Sequence, residues 1–94
     1  MLLERAEILI KEGSEQEFTA AMDEHGLPTL RAVPGVKSVR FGRGVENPSK
    51  FMLLVEWHSM DAHTAFSKSS TYQPFLKIIG PYSKGGSMEH FEMA

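Results

Sequence analysis

The alternation of apolar and polar residues predicts four strands, and the clearest of them is residues 51–57. Nearly every position there is apolar, which is typical of a central strand covered on both faces. The stretch ends on the only tryptophan, Trp57, and polar residues follow it. We therefore expect Trp57 at a rim of the sheet, where its ring packs inward and its N–H finds a partner.

Three other stretches also alternate with the period of a strand: residues 2–11, 36–45 and 87–93. In the first, Ala6 and Ile8 share an apolar face with Ile10. The pair Gly85 and Gly86 precedes the last stretch and is interpreted as a flexible loop.

Helical spacing appears between these strands. Ser14 and Glu17 have the form of a capping box, and the apolar stripe that follows runs from Phe18 to His25. A second helix is predicted from the cap residue Ser59. A third helical segment, capped by Thr71, is expected to turn Phe75, Ile78 and Ile79 inward.

The order strand, helix, strand, strand, helix, strand indicates a ferredoxin-like split βαβ fold of the α+β class. It predicts a four-stranded antiparallel sheet with helices on one face, formed by a single domain over residues 1–94. Arg40 and Glu56 are expected to pair across the central hairpin. Leu9, Met52 and Leu54 fall on the uncovered face, so we expect that face to pack against a second subunit in a homodimer.

The amino-acid composition argues against several classes of partner and site. The formal net charge is −2, and the absence of long basic runs argues against nucleic acid or an anionic membrane as a partner. The chain has no cysteine, which excludes a disulfide framework and a thiolate metal site. Acidic residues interrupt the apolar start, so a signal peptide or a membrane span is not expected there, and a cytoplasmic location is predicted.

The order of elements and a set of short motifs together resemble the antibiotic biosynthesis monooxygenase family of dimeric α+β barrels. The motifs stand before the second strand, before the third strand, at the strand-to-helix junction and near the last helix. They are Pro34-Gly35-Val36, Glu46-Asn47-Pro48, Trp57-His58-Ser59-Met60-Asp61-Ala62, and residues 69–72 with Phe75.

The resemblance implies a pocket between sheet and helices, with Trp57 as its floor. Members of the family that are oxygenases use O₂ without a metal or flavin and act on an electron-rich phenol, hydroquinone or enol. For this chain it implies a cofactor-independent monooxygenase of an aromatic or quinol-like small molecule. The expected substrate-binding residues are Trp57, Phe66, Tyr72, Phe75 and Ile8.

Histidine is the side chain suited to accept a proton near neutral pH. The candidates for catalysis are His25, His63 and His90, and Tyr72 is a further candidate through its hydroxyl. His25 also fits a hydrogen-bonded position in the core, and Tyr72 also fits packing of a helix end against the core. His63 lies at the border of the buried stripe of its helix, and alternation does not decide which face of the last strand His90 takes. His58 is expected at the rim or in a subunit interface.

No metal site and no cofactor are predicted. His58 and His63 are five residues apart across a strand-to-helix junction, which is not the spacing of a helical metal pair. Haem-degrading relatives carry Asn on the first strand and His near the end of the second helix, and the matching positions here are Ala6 and Leu76. Many relatives carry His nine residues after the Trp, where this chain has Phe66.

Two other functions fit the same pattern. One is a non-catalytic dimer that binds an apolar metabolite, because an aromatic-lined pocket serves that purpose equally well. The other is an isomerase or cyclase acting on an enolisable ketone, for which a histidine base suffices without oxygen.

Overall fold

The computed structural model describes all 94 residues, 1–94. Four strands form one antiparallel sheet, and their spatial order is β2-β3-β1-β4. This confirms the predicted ferredoxin-like arrangement with β3 and β1 at the centre. The strands are β1 (Leu2–Ile10), β2 (Val36–Arg43), β3 (Lys50–Trp57) and β4 (Ser83–Glu92).

Helices cover one face of the sheet. The first covering segment is a continuous helical path in which a π-helical turn, Met22–Gly26, joins two short α-helices. The second consists of two helices that follow β3. The helices are α1 (Glu15–Ala21), α2 (Leu27–Arg31), α3 (Met60–Ser67) and α4 (Tyr72–Ile79). None of them has the length and apolar composition that crossing a bilayer requires.

The core lies between the sheet and these helices. Alternate residues of β1 and β3 point into it, as the sequence pattern predicts. Phe18 of α1 and Met22 of the π turn are fully buried against them. The buried strand residues are Leu2, Glu4, Ala6, Ile8, Ile10, Val39, Phe51, Leu53, Val55 and Trp57.

The predicted loop at Gly85 and Gly86 is wrong, because both residues lie inside β4. Gly86 pairs with Ile8, and a Cβ at Gly86 would lie 2.2 Å from the backbone oxygen of Glu7. A glycine at this position is therefore required by a close approach of two backbones rather than by a turn. The strand begins four residues earlier than the prediction of 87–93.

Two predicted local interactions are also wrong. The side chain of Ser14 makes no capping hydrogen bond; instead the Glu15 carboxylate accepts the backbone N–H of Gly13 at 2.9 Å. Glu56 does not pair with Arg40, because the register sets Glu56 opposite Ser38, whose hydroxyl donates to the Glu56 carboxylate at 2.7 Å.

The opposite face of the sheet carries no helix. Leu3, Leu9, Met52 and Leu54 lie there and are half-buried in the single chain. Phe91 of β4 pairs with Leu3 across the sheet and is 43% exposed. The expected apolar patch is therefore present on the uncovered face.

Candidate active site

A cavity of about 400 Å³ lies between the β1–β4 half of the sheet and the helices α3 and α4. Ile8, Trp57, Phe66, Tyr72 and Phe75 all line it, together with His63. These five are the residues that the sequence analysis named as substrate-binding, and the fold does bring them together. The cavity is mainly apolar, with a polar group of side chains at the Trp57 end.

Trp57 anchors that end of the cavity. It is 1% exposed, and its indole Nε1–H donates to Oε1 of Glu4 at 3.1 Å. The two residues lie on adjacent strands, since Glu4 pairs with Val55 in the β1–β3 register. The predicted polar partner of the indole is therefore a carboxylate that is itself only 6% exposed.

Two histidines approach the same carboxylate oxygen from different elements. His63 of α3 places Nε2 3.4 Å from Oε1 of Glu4, and His90 of β4 places Nε2 at the same distance. The register brings His90 there because it pairs directly with Glu4. The two imidazole rings are 4.3 Å apart, and the ring of His63 meets the edge of Trp57 at 5.3 Å.

This group of side chains is short of hydrogen-bond partners. Nδ1 of His63 and Nε2 of His90 are both buried and have no hydrogen-bond partner. Burial lowers the pKa of His63, although the nearby Glu4 carboxylate acts in the opposite direction and His90 adds to the lowering. The group therefore presents a neutral imidazole and a buried carboxylate to the cavity, which suits it to exchange protons with a bound molecule.

The aromatic residues form a continuous wall around this end. Phe66 packs against Trp57 at 6.0 Å between ring centroids, against Tyr72 at 5.2 Å and against Phe75 at 5.8 Å. Phe66 also lines a second cavity, of about 560 Å³, behind Ala62 and Ala65 of α3. The Phe66 ring therefore lies between the two cavities.

The structure does not bring His25 to this site. The sequence placed it on the buried stripe of the first helix, but its side chain is 67% exposed and lies beside Glu24. The reason is the π turn, in which Gly26 occupies the buried position instead. A Cβ at Gly26 would lie 2.5 Å from Sδ of Met22, so the Met22 side chain packs directly against this glycine. His58 is exposed, as a rim residue is expected to be.

Glu4 is the site residue that the sequence analysis missed. A signal was present, because Glu4 falls on the apolar parity of β1 with Leu2, Ala6 and Ile8. A lone carboxylate on a buried face needs partners, and such groups are rarely fully buried without them. Its partners come from three other elements, which spacing along the chain does not reveal.

Glu4, His63 and His90 also form a group of possible metal ligands. One donor atom of each lies within 4.8 Å of the donors of the other two. Spacing along the chain suggested only the pair His58 and His63 as possible ligands and did not predict this group. The haem positions of relatives, Ala6 and Leu76, both line the cavity but offer no ligand atom.

Comparison with known proteins agrees with this fold. The sequence profile described as antibiotic biosynthesis monooxygenase matches residues 1–77. The chain belongs to the antibiotic biosynthesis monooxygenase family. It is similar over 94 residues, at 34% identity, to the uncharacterized protein YczJ of Bacillus subtilis, with 98% of each chain covered.

Two further relatives of this family member are a longer protein and a protein whose crystal structure superimposes on this chain. Protein SchA of Streptomyces halstedii is 26% identical over 76 residues, which are 81% of this chain and 20% of SchA. A crystal structure of a provisionally assigned antibiotic biosynthesis monooxygenase from Bordetella bronchiseptica superimposes with a TM-score of 0.90. Its identity is 26%, and the alignment covers 99% of this chain and 96% of that one.

Proposed function

We propose that this protein oxidises an electron-rich aromatic or quinol-like small molecule with O₂ in the cavity beside Trp57. The observation that carries the proposal is that Glu4 and His63 line one end of a cavity in which 11 of 18 lining residues are hydrophobic, and that His90 contacts both of them. Such a cavity takes up a flat apolar molecule and directs its single polar group toward the three side chains.

The cavity supplies what this chemistry needs from a protein. A neutral phenol holds its electrons tightly, whereas the phenolate formed by proton loss gives one to O₂ far more readily. His63 or His90 accepts that proton, and the buried Glu4 carboxylate stabilises the imidazolium that results. The apolar walls exclude water from the anion and from the reduced oxygen.

The proposed reaction balances with the substrate as the only reductant. A phenol with a free ring position and O₂ give a quinone and water. One oxygen atom forms a new bond to the ring carbon, whose C–H bond breaks. The other oxygen atom leaves as water with that hydrogen and the phenolic proton. The protein moves protons and orients the ring, and the substrate supplies all four electrons.

A homodimer is part of the proposal. The helix-free face of the sheet carries Leu3, Leu9, Met52, Leu54 and Phe91, and a second copy of that face would remove them from water. Sedimentation velocity at micromolar concentration is expected to give the mass of two chains. A single 10.5 kDa species would count against this part of the proposal.

The test is O₂ uptake by the purified, chelator-treated protein with a panel of hydroquinones and polyphenols. A Trp57→Phe variant is run beside it, because phenylalanine keeps an aromatic floor but cannot donate to Glu4. Uptake that falls at least tenfold in the variant supports the site. Ligand-induced quenching of Trp57 fluorescence without uptake would replace oxidation by a binding function.

A second candidate is proton transfer within an enolisable ketone, as in an isomerase or cyclase. The observation that favours it is the 4.3 Å separation of the His63 and His90 rings, which offers one group to take a proton and another to return it. Turnover of such a ketone under nitrogen would support this candidate, because oxidation needs O₂ and isomerisation does not.

A further inference from the structure

Glu4, His63 and His90 have the composition of a metal site rather than only that of an acid–base group. Two imidazoles and one carboxylate are the three protein ligands found in many open zinc and non-haem iron sites. They come from β1, α3 and β4, so the tertiary fold itself assembles them. Binding of an ion by these three side chains does not require the proposed oxidation.

The spacing of the donor atoms fits a single ion. Nε2 of His63 and Nε2 of His90 are each 3.4 Å from Oε1 of Glu4, and all three donors lie within 4.8 Å of one another. With metal–ligand bonds of about 2.0–2.1 Å, tetrahedral angles place neighbouring donor atoms about 3.3 Å apart. Small adjustments of the imidazole rings therefore suffice to bring all three atoms onto one ion.

The surroundings favour an ion over a closed hydrogen-bond network. Nε2 of His90 is buried and has no hydrogen-bond partner, and Nε2 of His63 and Nε2 of His90 both lie 3.4 Å from the same carboxylate oxygen of Glu4. The Glu4 carboxylate is fixed by the indole N–H of Trp57 at 3.1 Å. Metal-binding carboxylates are commonly oriented by an outer hydrogen bond of this kind.

We propose that Glu4, His63 and His90 bind one divalent first-row transition-metal ion, with the remaining coordination position facing the cavity beside Trp57. Imidazole nitrogen favours zinc, cobalt, nickel and iron over magnesium and calcium, which take oxygen ligands. A cavity-facing position is the arrangement of a site that also accepts water or a small ligand.

The test titrates the intact, chelator-stripped protein with Co²⁺, followed by its visible d–d absorption, and with Zn²⁺ in a calorimeter. We expect one ion per chain and no displacement by a large excess of Mg²⁺. His90→Ala and Glu4→Gln are expected to weaken binding at least 100-fold. Trp57→Phe, which removes the outer hydrogen bond, is expected to weaken it roughly 10–100-fold.

His25→Ala and His58→Ala are the matched controls, because both histidines are exposed and neither approaches Glu4. They are expected to leave the affinity unchanged. Near-ultraviolet circular dichroism of each variant identifies any that fails to fold, and the His90 change lies on an edge strand where loss of the fold is least expected. Absence of saturable binding in the unchanged protein would overturn the inference. Binding that persists in a folded His63→Ala/His90→Ala double variant would overturn it equally.

Binding is measured without substrate, so its failure is distinct from a failure of the proposed oxidation. An ion at this site would occupy the lone pairs that accept the substrate proton. O₂ uptake is for that reason measured on the stripped protein, and each experiment can fail while the other succeeds.

Discussion

The two halves of the sheet are covered in different ways. Over β2 and β3, Phe18 packs edge-on against Phe51 at 4.9 Å, and Phe41 stacks on Phe51 at 5.5 Å. Over β1 and β4, the helices α3 and α4 leave the 400 Å³ cavity, and most of β4 is exposed. The first half of the sheet is close-packed against its helix, whereas the cavity over the second half contains the polar side chains. The other cavity, of about 560 Å³, lies between α2 and α3 rather than over the sheet.

This difference separates stability from function. Close-packed rings such as Phe18, Phe41 and Phe51 contribute dispersion and hydrophobic energy and leave no room for a ligand between them. A buried carboxylate beside two imidazoles contributes little stability for its size, because desolvation offsets its interactions. The β2–β3 half therefore holds the fold together, which allows the β1–β4 half to keep a cavity.

The largest expected effect is on the close-packed half. Phe18→Ala removes a fully buried ring and is expected to lower the free energy of unfolding by about 3–5 kcal/mol. Met88→Ala, on the cavity side, removes a side chain that is 49% exposed and is expected to change it by less than about 1 kcal/mol. Urea denaturation measures both, and equal losses would contradict the division between the two halves.

The next largest loss of stability is expected when the hydrogen bond between Trp57 and Glu4 is removed. Trp57→Phe leaves the buried Glu4 carboxylate without its indole donor, and a buried group that loses its partner costs about 1–3 kcal/mol. The same denaturation measurement detects it. If Glu4→Gln/Trp57→Phe is no more stable than the sum of the two single changes predicts, the residues are not coupled as described.

Glycine positions on the two edge strands give a contrast of similar size between two better matched substitutions. In Gly86→Ala the new Cβ would lie 2.2 Å from the backbone oxygen of Glu7. The backbone would have to shift to relieve this clash, so we expect the free energy of unfolding to fall by about 1–3 kcal/mol. In Gly42→Ala the Cβ meets nothing within 4 Å, and stability is expected to stay equal or rise by about 0.5–1 kcal/mol. A neutral Gly86→Ala would show that β4 is not held as closely to β1 as described.

The smallest effect concerns pH and lies away from the cavity. The hydroxyl of Ser49 donates to Oε2 of Glu15 at 2.6 Å and lowers the pKa of that carboxyl. A lowered folded-state pKa gives stability that is present above the unfolded pKa and is lost as the pH falls through the folded value. Ser49→Ala should raise the Glu15 pKa in an NMR titration, and an unchanged value would exclude this cause.

The sequence predicted the fold of this molecule better than the residues of its candidate active site. Period-two alternation identified the buried faces of β1 and β3, and the isolated Trp57 marked the sheet rim that carries the polar end of the cavity. These features depend on local patterns, which a single sequence contains. They explain why the fold and the aromatic lining were predictable.

The positions of the remaining site residues are set by contacts between elements that are distant in the sequence. Glu4 contacts His90 only because the register of β1 and β4 pairs the two residues. His63 contacts Glu4 from helix α3, which packs over the sheet. His25 was misplaced because the π turn shifts the buried position to Gly26, and helical periodicity alone does not predict such a turn. The prediction of a loop at Gly85 and Gly86 was wrong because the sequence does not distinguish a glycine required by a close backbone approach from one required by a turn.

Two double variants compared in the O₂-uptake assay, with the same oxidisable substrate, show whether the imidazoles beside Glu4 carry the reaction. His63→Ala/His90→Ala removes both imidazoles beside Glu4, and His25→Ala/His58→Ala removes the two exposed ones. The account predicts that the first loses about 10²–10⁴-fold in kcat/KM, the usual contribution of general acid–base catalysis, while the second keeps full activity. Equal activity in the two folded variants would contradict it.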